Sequence, residues 1–467
     1  MTMSSKSKQS IQDELKQWAL DHFDDHLDLL KELVKIPSVS FEGYDPAHLL
    51  KSAQLVKNMM EDIGLNNTQL IQIDDAHPYV YGDKIKDPKL PTILLYAHHD
   101  VQPPMRENLW DSPPFEPTIR DGRIFGRGTA DDKAGIVIHL ASIHAYLDLY
   151  QELPINVKVI IEGEEEIGSE HLPKFLNQYA QLLSADAMVL ADLANYDTGI
   201  PSITTSLRGV LVCEVELRSM KHALHSGLWS GPLPDPAMGL CKLLSSITDE
   251  TGALAIDEMN KMVIPPSPSE KLSYTQLKMT EEVLRHQTQL VKGANIDPEG
   301  EVILEKLWRQ PSVVVNSIEV AQKKTAGNVI MDVAWARVGI RLAPGMNAKK
   351  CQSIFEDHLN AHTPWGLELK IKSEPPVNPW YCSPEDPIFD AAANAMKLGY
   401  EQETVFIGCG ASIPFVEPMS EALGNIPAIL IGVEDPYCRA HGENESLNLD
   451  DFRKAILSQI YFFNELS

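Results

Sequence analysis

The chain has 467 residues, which is enough for two or three domains and for a sizeable core. Hydrophobic residues make up 43% and charged residues 23%, and this composition excludes a disordered, collagenous or fibrous protein. The net charge of −26 opposes contact with phosphate backbones or anionic lipids, so we expect no nucleic-acid partner and no membrane partner.

The N-terminal segment is polar and turns acidic, whereas a signal peptide needs an apolar stretch there. No apolar run approaches the ~18 residues that cross a bilayer. The six cysteines are widely scattered and include no CxxC pair, which is typical of reduced thiols. Together these features predict a cytoplasmic protein.

The first predicted element is a helix from Ile11 to about Lys35, where apolar residues recur at helical spacing until Pro37. Strand and helix patterns then alternate along the chain. Buried strands are predicted at Pro91–Ala97, Asn156–Ile161, Asp186–Leu190 and Ile426–Val433, and further helices over Asp131 to about Tyr150 and from Leu449. Such alternation indicates an α/β domain with a largely parallel sheet.

The middle of the chain follows a different pattern. Gly209–Arg218 and Ala334–Leu342 alternate with a period of two, which is typical of half-exposed antiparallel strands. We therefore predict an α+β domain inserted at about residues 207–375. The first domain then consists of residues 1–206 and resumes over residues 376–467.

Polar clusters lie just after predicted strands, where open α/β sheets place their ligands. His98 and Asp100 follow the first of these strands and point to the same side of an extended segment, so the carboxylate could orient the imidazole. Asp131 opens a predicted helix after a glycine-containing loop. A polar surface loop and a helix cap are the alternative interpretations of these residues.

Three more clusters complete the pattern. The run Glu162–Glu166 contains four carboxylates after a strand, Asp192 follows another strand, and His441 lies near the C-terminus. Alone, each is explained by an acidic loop or a turn residue. Together the clusters supply histidine and carboxylate ligands that suit two divalent cations ~3.5–4 Å apart with a bridging carboxylate.

The sequence contains neither the common nucleotide-binding motifs nor the motif of a nucleophilic serine. Neither GxGxxG nor GxxxxGK[ST] is present, so dinucleotide and P-loop binding are not supported. The chain also lacks GxSxG, and the segment GCGASIP does not fit the turn that carries a nucleophilic serine.

Long motifs in a fixed order make the sequence similar to the M20 family of metallopeptidases. The motifs are LKELVKIPSVS, YAHHDVQP, WDSPPFEPTIRDGRIFGRGTADDKAG, EGEEEIGSE, ALHSG and AHGENE. The similarity extends over nearly the whole chain, and residues 110–133 especially resemble the carnosinase-type dipeptidases. The family includes aminoacylases, desuccinylases, carboxypeptidases and dipeptidases.

The resemblance implies two divalent cations, most simply Zn²⁺, with Mn²⁺ as the alternative. His98 and Asp192 would hold one cation, and Glu166 and His441 the other. Asp131 would bridge the two. The peptide bond after this bridging residue is expected to be cis.

The same resemblance implies further roles. Asp100 would orient His98, and Glu165 would be the general base. His225 would reach the active site of a neighbouring subunit and polarise the scissile carbonyl. Substrate contacts, often to its carboxylate, would come from Arg341, Asn328 and Ser412.

The implied fold is a zinc-peptidase catalytic domain with an inserted lid domain through which the protein forms a homodimer. The implied function is metal-dependent hydrolysis of the amide bond of dipeptides or similar small peptides. An N-acyl amino acid deacylase or desuccinylase, and a catalytically silent binding protein, are the alternatives. For single residues the alternatives are a loop histidine (His225), an exposed strand residue (Arg341) and a helix cap (Ser412).

Overall fold

The computed structural model describes residues 7–296, 302–413 and 415–467. Its helices are α1 Lys8–Asp21, α2 Phe23–Val34, α3 Ala47–Asp62, α4 Lys133–Tyr150, α5 Leu172–Leu183, α6 Ser226–Trp229, α7 Pro236–Ser245, α8 Asp257–Asn260, α9 Pro268–Gln276, α10 Glu281–Thr288, α11 Val302–Trp308, α12 Ala348–His362, α13 Pro387–Tyr400, α14 Val416–Ala422 and α15 Leu449–Glu465. Its strands are β1 Asn66–Ile71, β2 Tyr79–Lys84, β3 Thr92–His98, β4 Thr118–Arg120, β5 Arg123–Phe125, β6 Asn156–Glu162, β7 Ala187–Leu190, β8 Ser202–Leu207, β9 Gly209–Arg218, β10 Leu224–His225, β11 Ser312–Glu319, β12 Val329–Ile330, β13 Val333–Leu342, β14 Glu368–Ser373, β15 Trp380–Tyr381, β16 Val405–Cys409, β17 Ala428–Leu430 and β18 Ser446–Asn448.

The chain divides into two compact units. The first unit consists of Met1–Thr205, Cys382–Ile407 and Phe415–Ser467. The second unit consists of Ser206–Tyr381 and Gly408–Pro414, so the chain enters it twice.

A twisted sheet forms the centre of the first unit, with strand order β1-β2-β6-β3-β7-β17-β8. The four inner strands β6, β3, β7 and β17 are parallel, whereas β2 and β8 pair antiparallel at either side. This is the predicted α/β fold with a largely parallel sheet. Because the inner strands are parallel, their carboxyl ends lie at one edge of the sheet.

Helix α4 is buried on nearly all sides and packs against β3, α2 and α15. Its uniform apolar surface explains why its sequence lacks a clear amphipathic stripe. Within the described ranges, no helix is long and apolar enough to cross a membrane.

The first predicted helix is two helices in the structure, and this expectation was wrong. His22 leaves the helical conformation at φ −105° and ψ 9°, so α1 ends there and α2 begins one residue later. The ring of His22 stacks on Trp18, and its Nδ1 lies 2.9 Å from the Trp18 carbonyl oxygen. The same oxygen also accepts the main-chain N–H of His22 at 3.0 Å, so the ring makes an additional contact at the end of α1, which apolar spacing alone does not reveal.

The second unit contains a four-stranded antiparallel sheet of order β11-β13-β9-β14. Residues of β9 and β13 alternate between buried and half-buried, as their period-two pattern predicted. Their buried side chains pack with those of α7 and α12 in one apolar core. Strand β11 forms the edge of this sheet, and most of its residues are exposed.

Candidate active site

Polar residues meet at the carboxyl ends of three neighbouring parallel strands. His98 ends β3, Glu162 ends β6, and Asp192 lies two residues beyond β7. Because β3 lies between the other two strands, these ends are adjacent. Asp131, just before α4, and His441, just before β18, also reach this edge of the sheet.

The carboxylate of Asp131 lies between the two histidines. Its Oδ1 is 3.1 Å from His98 Nε2, and its Oδ2 is 2.9 Å from His441 Nε2. His98 Nε2 is also 3.4 Å from Asp192 Oδ1, and His441 Nε2 is 3.2 Å from Glu166 Oε2. The structure thus brings all five predicted ligands together as two groups that share one carboxylate.

The electrostatics of this cluster favour bound cations. Burial and the charge of Asp131 raise the pKa of Glu166 to about 7, and burial raises the pKa of Asp192. Hydrogen bonds to Asp131 and Glu166 raise the pKa of His441 to about 11. Buried carboxylates that repel one another need positive charge nearby. Two imidazoles and three carboxylates form a donor set that fits a pair of divalent cations and suits both Zn²⁺ and Mn²⁺.

Asp132 follows the shared carboxylate through a cis peptide bond, as the resemblance predicted. Its carboxylate is close enough to His98 and Asp192 to be considered a ligand. However, Asp132 Oδ2 accepts the N–H of His98 at 3.2 Å, and its Oδ1 accepts the N–H of Gly135 at 3.2 Å. Asp132 therefore caps α4, and the helix begins at Lys133 rather than at the predicted Asp131.

Asp100 connects the histidine strand to the acidic loop. His98 Nδ1 lies 3.0 Å from the main-chain oxygen of Asp100 and 3.4 Å from its carboxylate Oδ1. The Asp100 carboxylate also accepts the N–H groups of Glu165 at 3.2 Å and of Glu166 at 3.0 Å. One residue thus orients the imidazole, mainly through its carbonyl, and fixes the start of the turn that carries both glutamates.

Glu165 begins a single 3₁₀ turn beside the cluster. Burial raises the pKa of its carboxyl group well above the ordinary value. The charge of His98 opposes this shift, whereas the carboxylates of Asp192 and Glu166 add to it. A carboxyl group with a raised pKa beside a metal site can accept a proton and release it again near neutral pH.

Two residues that the sequence did not single out support the predicted ligands. Glu445 is fully buried and accepts the N–H groups of Gly128 at 3.0 Å and of Asp131 at 3.3 Å. It also pairs with Arg127 Nη1 at 2.6 Å. Gln102 Nε2 donates to Glu166 Oε2 at 2.8 Å. The only signal for Glu445 was its place in the motif AHGENE.

The second unit contains the other predicted site residues. His225 is exposed and ends β10, which pairs with β12. The next residue, Ser226, donates its N–H to the carbonyl of Asn328 at 2.9 Å, so His225 and Asn328 lie on neighbouring segments. Arg341, on β13, donates from Nη1 to Ser412 Oγ at 2.9 Å. Within this unit His225 therefore lies near Asn328, and Arg341 contacts Ser412.

Comparison with known proteins identifies the family. The model of peptidase family M20/M25/M40 matches residues 94–462, which is well over half of the chain. The chain belongs to this family. It is a metallopeptidase of the M20 type, and the family predicted from its motifs is confirmed.

Three similar proteins cover almost the entire chain. The cysteinylglycine-S-conjugate dipeptidase of Corynebacterium striatum is 27% identical and aligns with 88% of this chain and 89% of its own. The crystal structure of human carnosine dipeptidase 1 is 26% identical, with a TM-score of 0.76 and 98% of each chain covered. The M20 family metallo-carboxypeptidase Sso-CP2 of Sulfolobus solfataricus is 27% identical, with a TM-score of 0.79, and covers 94% of this chain and 99% of its own.

We expect Glu445→Gln to weaken divalent-cation binding by about 10- to 100-fold, as changes behind metal ligands commonly do. The variant loses the carboxylate charge that holds Arg127 and the turn carrying Asp131. Competition with a chromophoric chelator measures the affinity, and circular dichroism confirms folding. Glu443→Gln is the matched control, since Glu443 pairs only with the exposed Arg106 among the described ion pairs. Equal affinity in the two variants would contradict this role.

Proposed function

We propose that this chain is a dinuclear metal-dependent dipeptidase that hydrolyses the amide bond of dipeptides or similar small peptides. The observation that carries the proposal is the Asp131 carboxylate, which presents one oxygen to His98 and the other to His441. Two of the similar proteins carry dipeptidase in their names, which supports this substrate class.

The cations are assigned to five residues. His98 and Asp192 would hold the first cation, Glu166 and His441 would hold the second, and Asp131 would be shared by both. We propose Zn²⁺ as the resident metal, with Mn²⁺ as the alternative, because the donor set accepts either. When bound, such cations polarise a carbonyl and lower the pKa of water towards ~7.

Glu165 moves the proton in the proposed reaction. Its carboxylate takes a proton from the attacking water and then gives this proton to the leaving nitrogen. Its raised pKa suits this exchange, because the carboxyl group must hold the proton between the two steps. Asp100 keeps Glu165 in place by accepting its main-chain N–H.

The residues of the second unit are proposed to act on the substrate. Exposed His225 is available to a second copy of the chain, where it would stabilise the oxyanion. Arg341 and Ser412 are proposed to contact the substrate, and Asn328 is proposed as a further contact. The free side-chain donors of arginine suit a carboxylate.

A substrate panel tests the proposed function. Chelator-treated enzyme is resupplied with Zn²⁺ or Mn²⁺ and given dipeptides and N-acetyl amino acids. Dipeptide cleavage restored by one cation supports the dipeptidase and names its metal. Cleavage of the acetylated substrates alone would instead identify a deacylase, and metal binding without turnover would identify a silent scaffold.

We also propose a cytoplasmic location. Each of the six cysteines is a free thiol in the structure, which suits a reducing compartment. Cell fractionation tests this location, and recovery of the chain from the medium or from membranes would contradict it.

We propose a homodimer formed through the second unit. Its edge strand β11 exposes apolar side chains, with Val314 at 54% and Ile318 at 55%. An exposed apolar edge strand pairs readily with another strand. We expect Ile318→Lys to shift the protein from dimer to monomer in light scattering, whereas Val291→Lys, at an exposed residue that is not part of this strand, leaves the mass unchanged. A wild-type monomer would refute the dimer.

A further inference from the structure

The loop that carries Glu165 contains another buried carboxylate, that of Glu164. Glu164 directly precedes the 3₁₀ turn that begins at Glu165, and it is not one of the proposed metal ligands. The hydroxyl of Tyr79 donates to Glu164 Oε1 at 3.0 Å. In the part of the chain that the structure describes, the one ion pair of Glu164 is with His171. Because a buried carboxylate needs such partners, the conformation of this loop depends on the contacts of Glu164.

His171 contacts both oxygens of this carboxylate. Its ring Nδ1 lies 3.0 Å from Glu164 Oε2, and its main-chain N–H donates to Glu164 Oε1 at 2.9 Å. The hydrogen bond to Glu164 raises the pKa of His171, so the contact favours the charged imidazolium. The other ring nitrogen, Nε2, lies 3.2 Å from Oδ1 of the exposed Asp75. The imidazole is therefore held between two carboxylates.

His171 also connects the loop to helix α5. It directly precedes this helix, and its carbonyl accepts the N–H groups of Lys174 and Phe175 at 3.0 and 2.9 Å. The buried ring of Phe175 stacks on the ring of Tyr79, with 4.2 Å between the ring centres. Since Tyr79 belongs to β2, the carboxylate of Glu164 is held by donors from a strand and from the start of a helix.

Two separate sets of contacts thus hold the turn that begins at Glu165. The carboxylate of Asp100 accepts the N–H groups of Glu165 and Glu166. His171 fixes the side chain of Glu164, the residue directly before this turn. A displacement of about 1 Å in a catalytic group can lower a rate by about 10²-fold. A contact that fixes this turn can therefore affect turnover.

We propose that His171 is a positioning residue, which fixes the turn of Glu165 through the carboxylate of Glu164. This inference rests on the proposed function, because it takes Glu165 to be the proton carrier. His171 is not among the residues proposed to hold the cations or to contact the substrate. Loss of its imidazole should therefore lower kcat, while KM and the metal content stay at their wild-type values.

Replacement of the imidazole by a ring without donors tests the proposal. His171→Phe leaves the buried Oε2 of Glu164 without its side-chain donor, which is costly for a charged acceptor. We expect kcat to fall by about 10- to 100-fold, with KM and bound metal unchanged. In His171→Asn the side-chain amide replaces the Nδ1 donor, and this variant should recover most of the wild-type kcat. Circular dichroism confirms that both variants are folded.

Lys174→Met is the matched control. Lys174 lies in the first turns of α5 and, in the described chain, pairs with Asp74 rather than with Glu164. It should leave kcat unchanged. Wild-type kcat in His171→Phe would overturn the proposal. An equal loss of kcat in His171→Phe and His171→Asn would overturn it as well, since the hydrogen bond to Glu164 would then not be the cause.

Failure of the proposed function is recognised separately. If the wild-type enzyme hydrolyses no peptide, hydrogen–deuterium exchange compares the Zn²⁺-loaded wild type and His171→Phe. Ser169 donates its N–H to the carbonyl of Glu164 at 3.0 Å, so exchange of this amide reports opening of the turn. Exchange that is about 10-fold faster in the variant supports the positioning role even then. Equal exchange in the two proteins overturns it.

Discussion

Glu165→Gln is expected to lower kcat by about 10²- to 10⁴-fold while the protein keeps both metal sites. Glutamine has nearly the same shape but cannot accept the proton of the attacking water. The substitution removes one of several buried carboxylates that repel one another, so it should not weaken the cations held by Asp131 and its partners. Kinetics on the best substrate, together with metal analysis of the purified variant, measure the two effects.

Glu170→Gln is the control for this prediction. Glu170 is exposed and lies five residues further along the same loop, so its substitution should leave kcat unchanged. Wild-type turnover by Glu165→Gln would exclude Glu165 as the proton carrier. A loss of bound metal in that variant would instead place Glu165 among the ligands.

Removal of the cations should abolish hydrolysis and lower the thermal midpoint of unfolding. A cation present at 100 times its Kd stabilises the folded protein by about 2.7 kcal/mol per site. For a unit of about 280 residues, this corresponds to a fall in Tm of roughly 4–5 °C per site on chelation. Calorimetric scans with and without a chelator measure this shift, and resupplied Zn²⁺ or Mn²⁺ should reverse it.

Asp131→Asn should remove most of this metal-dependent shift together with the activity. Its carboxylate contacts both histidines, so the substitution weakens the two proposed cation sites at once. Asp62→Asn, at the exposed end of α3, should keep the full shift. If Asp131→Asn responds to chelator as the wild type does, Asp131 does not bridge the cations.

Much of the secondary structure of both units follows from local sequence patterns. The predicted strand over Pro91–Ala97 is β3, displaced by one residue, and Gly209–Arg218 has the predicted bounds. These segments were predictable because side chains alternate or remain apolar over short distances, which depends only on the strand itself. The division at His22 was not predictable, because the main-chain angles of this one residue interrupt the helix and apolar spacing does not record them.

Support for the site was much harder to predict than the site itself. Glu445 accepts the N–H of Asp131 across 314 positions of sequence and pairs with Arg127 across 318. In the sequence an acidic residue or an arginine in a loop is indistinguishable from a solvated surface residue. Only the fold removes these groups from water and decides which partner each one meets.

By itself, the sequence determined the family, the α/β fold and the set of residues proposed to hold the cations. It could do so because those residues follow strands in long motifs, and parallel strands bring their carboxyl ends to one edge. The tertiary structure alone decided that Asp132 caps a helix and that the carboxylate of Glu445 accepts the N–H of Asp131. The orientation of a carboxylate depends on hydrogen bonds from distant segments, and these exist only after the chain has folded.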